Sequence, residues 1–141
     1  MGSRSATTAR MSEAAQATKR GRAFWLGWGS SALPALVAAL SGVMKIAHTH
    51  QVLEGFQHFG YPESTLTVIG VLEVSVAALA LIPRTSVFGS ILFTAYFGGA
   101  VATHVRIGEP MWIGPVLLCV FLWLGLWLRE PRLRALVPLR R

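Results

Sequence analysis

The chain has 141 residues, enough for one domain, and it is 53% apolar but only 13% charged. An ordinary soluble domain carries about 25% charged residues, so this composition excludes a typical soluble protein. The formal net charge of +7 is concentrated at the two ends of the chain, which favours a membrane surface over nucleic acid as the partner of these bases. A single cysteine, Cys119, excludes an internal disulfide and any metal site built from several cysteines.

Charge divides the chain into two tails and four apolar spans. Residues 1–22 are basic, polar and rich in Ala, Ser and Thr, which predicts a disordered tail that contacts anionic lipid head groups. Four stretches almost free of charge follow, at about 24–44, 65–83, 86–105 and 111–128. Each matches the roughly 20 residues that a helix needs to cross about 30 Å of hydrocarbon. The sequence therefore predicts an all-α protein, with a bundle of four transmembrane helices over residues 23–128 and a basic C-terminal tail over residues 129–141.

The lysine and arginine residues predict the orientation of this bundle. Both tails are rich in basic residues, and the short second connection carries Arg84. The other two connections hold Lys45 and Arg106, each close to glutamate residues. Because cytoplasmic loops carry the excess of positive charge, we expect both termini to lie in the cytoplasm.

The first external loop is longer than the others. Apolar residues recur in it at roughly helical spacing, at Val52, Leu53, Phe56 and Phe59. This pattern predicts a short amphipathic helix that lies in the membrane interface. Gly60 is the predicted end of that helix, because glycine favours the backbone conformation that terminates one.

Glu73 is the one formally charged residue inside the second span. Gly70 and Ala77 lie on the same helix face, and small residues of this kind indicate close contact with another helix. Comparable stripes in the first and third spans include Gly42, Lys45, Tyr96, Gly99 and His104. We expect the three stripes to meet, with Gly42, Gly70, Gly99 and Ala77 as packing positions.

The rise per residue of a helix estimates the depth of each polar side chain. Glu73 and Tyr96 both lie about 13 Å below the outer boundary, which makes Tyr96 the predicted hydrogen-bond partner. Lys45 and His104 lie near the outer rim, so a direct Lys45–Glu73 pair would require a kink or a tilt, to which Pro34 can contribute. Lys45 is otherwise a snorkelling anchor and His104 a rim residue that bonds a loop.

Two interpretations of Glu73 remain open at this stage. In one, Glu73 binds a proton or a polar ligand group in a pocket that opens to the outside. In the other, it is a hydrogen-bonded clamp between helices. A metal site is not predicted, because His48, His50 and His58 lack the spacing of metal ligands, and the sequence contains no haem motif.

Four short motifs, in this order and spacing, resemble those of a known family. They pair Gly42 with Lys45, Gly60 with Pro62, Gly70 with Glu73, and Ala100 with His104. Over roughly residues 30–128 the chain resembles the DoxX-like family of small four-helix bacterial membrane proteins. The resemblance implies a multi-pass protein of the bacterial inner membrane. It also implies a link to redox chemistry, since some relatives are associated with quinone-linked membrane complexes.

The leading functional hypothesis is an accessory subunit of such a membrane redox complex, not catalytic by itself. Its polar intramembrane pocket would be formed by Glu73, Lys45, His104 and Tyr96 and would contact a quinone, the only cofactor that the resemblance suggests. One alternative is a small proton-coupled transporter or carrier, and another is an intramembrane enzyme that acts on a lipid or a quinone. The expected partners are the lipid bilayer and either redox-complex subunits or further copies of the chain, without nucleic acid.

Overall fold

The computed structural model describes the backbone of residues 3–135 and the side chains of residues 21–135. This part of the chain is almost entirely helical and contains no strand. Its helices are α1 (Ser3–Ile46), α2 (His50–His58), α3 (Leu66–Leu81), α4 (Ser86–Arg106), α5 (Ile113–Arg129) and α6 (Pro131–Arg134). Short 3₁₀ turns at Glu63–Thr65 and Pro110–Trp112 lead into α3 and α5.

Within the described residues, four helices are long and apolar enough to cross a membrane. They comprise Gly21–Ile46, Glu63–Leu81, Ser86–Arg106 and Pro110–Arg129. These segments confirm the predicted all-α bundle with four spans. Their ends differ from the predicted ends by a few residues, because a charge marks the limit of an apolar run and not the last hydrogen bond of a helix.

The structure differs from the sequence prediction at the start of the chain. The tail over residues 1–22 is predicted to be disordered, but α1 begins at Ser3 and continues without a break to Ile46. Alanine, lysine, arginine and glutamine favour helices, and a segment that extends an existing helix needs no new nucleus. The predicted contact of this tail with lipid head groups depends on side chains outside the described residues.

The C-terminal segment folds back onto the bundle as far as the structure describes it. The guanidinium of Arg129, the last residue of α5, lies 4.3 Å from the ring centre of Trp28 and donates to the Ala80 carbonyl at 3.3 Å. Arg134 donates to the carbonyls of Trp127 and Leu128. Carbonyls at helix C-termini have no partner within the helix, so nearby arginines cap them. Of the other basic residues of the predicted tail, Arg132 lies in α6, and Arg140 and Arg141 lie outside the described residues.

The four spans form a bundle in which α1 and α4 occupy opposite corners. Helix α1 packs against α3 and α5, and α4 packs against the same two helices. The buried centre is built from small and aromatic side chains, namely Ala35, Ala38, Val76, Ala77, Ala80, Phe93, Phe97 and Leu122. Helix α2 covers one end of the bundle, which we call the α2 end, and the α3–α4 loop lies at the other end.

Glycines permit the closest approaches between neighbouring helices. A Cβ on Gly42 of α1 would lie 2.8 Å from the backbone oxygen of Gly70 on α3, and a Cβ on Gly27 would lie 2.8 Å from that of Gly125 on α5. Close backbone approach of this kind strengthens packing in lipid, where burial of apolar side chains supplies no net drive. Gly42 and Gly70 therefore occupy the packing positions that the sequence indicates.

The prediction that Gly99 packs against another helix is wrong. Gly99 is exposed, and a Cβ placed there would meet no atom within 4 Å. Helix α4 instead approaches α3 through Gly89, which lies against the backbone of Leu79 and Ala80 beside the short loop between the two helices. The contact is near this loop because the loop brings the adjoining ends of α3 and α4 together, and nearer the α2 end both helices line a cavity.

The amphipathic segment between the first two spans forms the helix α2. Its apolar residues Val52, Leu53 and Phe56 are partly buried, whereas Glu54 lies on the exposed side. Gly60 has a positive φ of 77° and ends the segment as predicted. Helix α2 therefore rests on the bundle through its apolar face.

Candidate functional site

A buried ion pair joins α1 to α3. The ammonium of Lys45 donates to Glu73 Oε2 at 2.6 Å and to the hydroxyl of Ser41 at 2.6 Å. Ser41 in turn donates to the same carboxylate oxygen at 3.4 Å. The Glu73 side chain is 3% exposed and that of Lys45 is 13% exposed. The three side chains therefore form a compact polar triad that is shielded from solvent.

The antiparallel packing of α1 and α3 brings this pair together. The Cβ of Lys45 lies beside Gly70, at 3.0 Å from where a Cβ of that glycine would be, and Glu73 is about one turn further along α3. Side chains on a helix tilt toward its N-terminus. Because α1 runs toward the α2 end and α3 runs away from it, Lys45 points into the bundle and Glu73 points back toward Lys45.

This geometry corrects the prediction made from helix depth. Counting residues places Lys45 about a turn above Glu73, which suggested that a direct pair needs a kink or a tilt. The lysine side chain spans about one helical turn of 5.4 Å by itself, so the backbone need not bend. Lys45 therefore does not snorkel outward to the rim, since its ammonium reaches inward to a carboxylate.

The pair borders a cavity of about 460 Å³ at the α2 end of the bundle, which we call the Glu73 cavity. Its polar wall contains the triad. Its other walls carry aromatic and aliphatic side chains from α3, α4 and α5 and from the segment between α1 and α3, including Phe56, Phe59, Tyr61, Leu72, Phe97 and Pro115. The cavity is thus mostly apolar, and Tyr96, Thr103 and His104 add a few polar groups to those of the triad.

Tyr96 and His104 both line the Glu73 cavity but have different partners. The Tyr96 hydroxyl interacts with the Glu73 carboxylate across the cavity. His104 Nδ1 lies 3.1 Å from Glu109 Oε2. The structure therefore brings Glu73, Lys45 and Tyr96 into one group and ties His104 to a loop residue.

Glu109 is a site residue that the sequence analysis missed. Its second carboxylate oxygen accepts from His58 Nε2 at 3.0 Å, so one glutamate joins the end of α2 to the end of α4. Phe59 adds an edge-on contact to the His104 ring, with ring centres 4.9 Å apart. No sequence signal indicates this bridge, because residues 58 and 109 belong to loops far apart in the chain. The helical pattern of the first external loop could indicate only that the loop folds over apolar surface.

Two further contacts fasten residues 50–61, which we call the cap, over the Glu73 cavity. The hydroxyls of Tyr61 and Thr103 lie 3.1 Å apart. Arg106 donates to the backbone carbonyl of Phe59. The rings of Phe59 and Tyr61 consequently form a roof above the cavity, between its polar wall and the solvent at the α2 end.

On the opposite edge, His48 links the turn after α1 to the start of α3. Its ring nitrogens lie 3.2 Å from Glu63 and 2.9 Å from the Thr67 hydroxyl. His48 has a positive φ of 50°, an uncommon conformation for a residue other than glycine. Among residues 21–135, no three His, Cys, Asp or Glu side chains are grouped as metal ligands.

Comparison with known protein families agrees with this architecture. The sequence profile of the DoxX-like family matches residues 29–125, which include most of the four spans and all three members of the triad. No curated protein and no solved structure matches the chain. A family match over most of the chain, together with four membrane-spanning helices, makes this an integral membrane protein. The chain belongs to the DoxX-like family.

Proposed function

We propose that the chain is a multi-pass subunit of the bacterial inner membrane that binds a quinone head group in the Glu73 cavity. The observation that carries the proposal is the buried Lys45–Glu73 pair on the wall of an aromatic-lined cavity of about 460 Å³. Ligand pockets in proteins span about 300–1,000 Å³ and are mostly apolar with a few convergent polar groups. The Glu73 cavity has a volume in this range, and its lining is mostly apolar with a few polar groups.

The Lys45–Glu73 pair offers a quinone both hydrogen-bonding functions. An ammonium carries three protons, and among the described side chains two acceptors face this one, Ser41 and Glu73. The third proton is available to a quinone carbonyl, and the carboxylate can accept from a hydroxyl of the reduced form. The rings of Tyr96 and Phe97 provide an apolar wall for a flat quinone ring. These two rings are in edge-on contact, with their centres 5.0 Å apart.

An accessory role follows from the chemistry of these groups. Neither an ammonium nor a carboxylate exchanges electrons, so the residues of this site bind and orient a quinone without reducing it. Electron transfer would come from a partner subunit, in line with the quinone-linked complexes in which some DoxX-like relatives take part. We place the basic termini in the cytoplasm, so the cavity lies in the outer half of the membrane.

The packing below Glu73 supports binding over transport. Ala77 and Phe93 are fully buried and Phe97 is nearly so, and all three belong to the core cluster on the side of Glu73 that faces the α3–α4 loop. A carrier needs a route through this part of the core. A proton flux into proteoliposomes that is present with the wild type and absent with Glu73→Gln would restore the transporter hypothesis.

Infrared difference spectroscopy in lipid nanodiscs tests quinone binding. The carbonyl band of an added short-chain quinone is expected to move to lower frequency in the wild type, and this shift is expected to vanish in Lys45→Met. Ser75→Ala is the matched control, since Ser75 lies on the exposed face of α3 and bonds only its own helix at the Val71 carbonyl. A wild-type spectrum identical to that of empty nanodiscs would refute the proposal.

The predicted orientation has its own test with single cysteines in a Cys119→Ser background. A cysteine at Gln57, exposed on α2, is expected to react with a membrane-impermeant maleimide in intact cells. A cysteine at Arg84, exposed in the α3–α4 loop, is expected to react only after permeabilisation. The reverse pattern of labelling would invert the proposed topology.

A further inference from the structure

Helices α3 and α4 touch near their connecting loop and both border the Glu73 cavity nearer the α2 end. Near the loop, Gly89 lies directly against the backbone of Leu79 and Ala80. About two turns nearer the α2 end, the corresponding faces carry Leu72 on α3 and Tyr96 on α4, and both side chains line the Glu73 cavity. At this level, therefore, the Glu73 cavity lies between side chains of α3 and α4.

This space reaches the lateral surface of the bundle. Leu72 lines the Glu73 cavity and yet is 51% exposed, and Gly99 across from it on α4 also lines the cavity and is exposed. Both positions lie about 10 Å along the helix axis from the α2 end of their helices. In a membrane that depth belongs to the acyl chains. We call this gap between Leu72 and Gly99 the α3–α4 opening.

The cap obstructs access from the water side. The rings of Phe56, Phe59 and Tyr61 line the cavity at the α2 end, and hydrogen bonds to Thr103 and from Arg106 hold them over α4. These rings therefore lie between the cavity and the water at that end, whereas Leu72 and Gly99 border the cavity on the side of the acyl chains. The geometry therefore distinguishes between water-soluble and lipid-soluble ligands.

We infer that the α3–α4 opening is a lateral portal for the hydrocarbon tail of the bound ligand. The inference rests on the proposed function and narrows it to a ring-headed membrane lipid with a single tail. The head lies against the Lys45–Glu73 pair, and the tail passes between Leu72 and Gly99 into the leaflet at the α2 end. Gly99 is then a residue that determines specificity, since the missing side chain leaves room for the tail.

Adjacent glycines on α4 provide a matched pair of variants. A Cβ at either Gly98 or Gly99 would meet no atom within 4 Å, so both positions have open space where a side chain begins. Gly99 shares its helix face with Tyr96 and Thr103 and lines the cavity, whereas Gly98 is exposed outside it. Gly99→Leu therefore narrows the portal, and Gly98→Leu adds the same side chain to the lipid-facing surface.

The experiment compares two probes in nanodiscs, a tailless methoxy-substituted benzoquinone and the same ring with a decyl tail. Gly99→Leu is expected to weaken binding of the tailed probe by about tenfold or more, because a side chain inserted into an occupied space forces a clash. Binding of the tailless probe is expected to change by less than about threefold, and Gly98→Leu is expected to leave both affinities within about twofold. As a second readout, a photoreactive group on the tail is expected to label peptides that contain Leu72 or Gly99.

The other possible results distinguish a failure of the portal from a failure of the proposed quinone binding. Equal weakening of both probes by Gly99→Leu, or of neither, would overturn the portal, and so would photolabelling confined to the cap. If the wild type binds neither probe, the proposed function itself is wrong. Binding of the tailless probe with full affinity in every variant, together with a tail that labels no residue of α3 or α4, would leave quinone binding intact and remove the portal alone.

Discussion

Removing one member of the Lys45–Glu73 pair is expected to destabilise the bundle more than removing both charges. In Lys45→Met, the Glu73 carboxylate remains buried and keeps only the long bond from Ser41 at 3.4 Å and its interaction with Tyr96. An unpaired buried charge costs about 3–5 kcal/mol, whereas replacing both partners by neutral side chains of similar volume is often close to neutral. The pair borders a cavity that can hold water, so the loss of stability in each single variant is expected at the lower end of this range, about 3 kcal/mol. The double variant Lys45→Met/Glu73→Gln is expected to lose about 1 kcal/mol of stability.

Titration with SDS in mixed micelles, followed by tryptophan fluorescence, measures these free energies of unfolding. The wild type, the two single variants and the double variant form a thermodynamic cycle that isolates the coupling between the two side chains. Ser75→Ala, on the exposed face of the same helix, is expected to change stability by less than about 0.5 kcal/mol. Single effects that add to the double effect within about 0.5 kcal/mol would refute the pair as a coupled buried unit.

The packing and the cap lead to two further predictions. Gly70→Ala is expected to cost about 1–3 kcal/mol in the same titration, because the new Cβ would lie 2.6 Å from a backbone oxygen of α1. Gly99→Ala, at an open position, is expected to cost less than about 0.5 kcal/mol, and equal costs at the two glycines would contradict the packing described above. Glu109→Gln weakens the bridge between the cap and α4 and is expected to speed amide hydrogen exchange in α2 about fivefold, which corresponds to about 1 kcal/mol. Glu54→Gln, on the exposed side of α2, is the control, and an identical exchange rate in both variants would exclude a role for Glu109 in holding the cap.

The membrane-spanning architecture was predictable because lipid imposes it on the backbone. A segment with almost no charge over about 20 residues has one stable form in hydrocarbon, the helix, whatever its neighbours are. The spans over Glu63–Leu81 and Ser86–Arg106 therefore lie close to their predicted positions. The helical extension from Ser3 was not predictable from polarity, since polarity reports whether a helix is buried and not whether it forms.

Within the site, the sequence indicated the members and the contact between Glu73 and Tyr96, but not the direct pair of Glu73 with Lys45. Small neighbours on the helix face of Glu73 predicted that this carboxylate points into the bundle, and it is 3% exposed there. Its ion pair with Lys45 depends on the direction of two side chains and on how deeply α1 settles against α3 at Gly42 and Gly70. Neither quantity is visible in residue spacing along one helix.

The surroundings of Gly99 could not be predicted from the sequence either. A glycine on a helical stripe has the same pattern in sequence whether it meets another helix or borders a gap. In the structure, Gly89 beside the α3–α4 loop lies against the backbone of Ala80, whereas a Cβ at Gly99 would meet no atom within 4 Å. What the sequence by itself determined is the number of spans, their approximate ends, the helix in the first external loop and the inward face of Glu73, because each depends on local periodicity and on the cost of polar groups in lipid. Only the tertiary structure decided the Lys45–Glu73 pair, the Glu109 bridge and the α3–α4 opening, because these depend on the distances and angles at which separate helices pack.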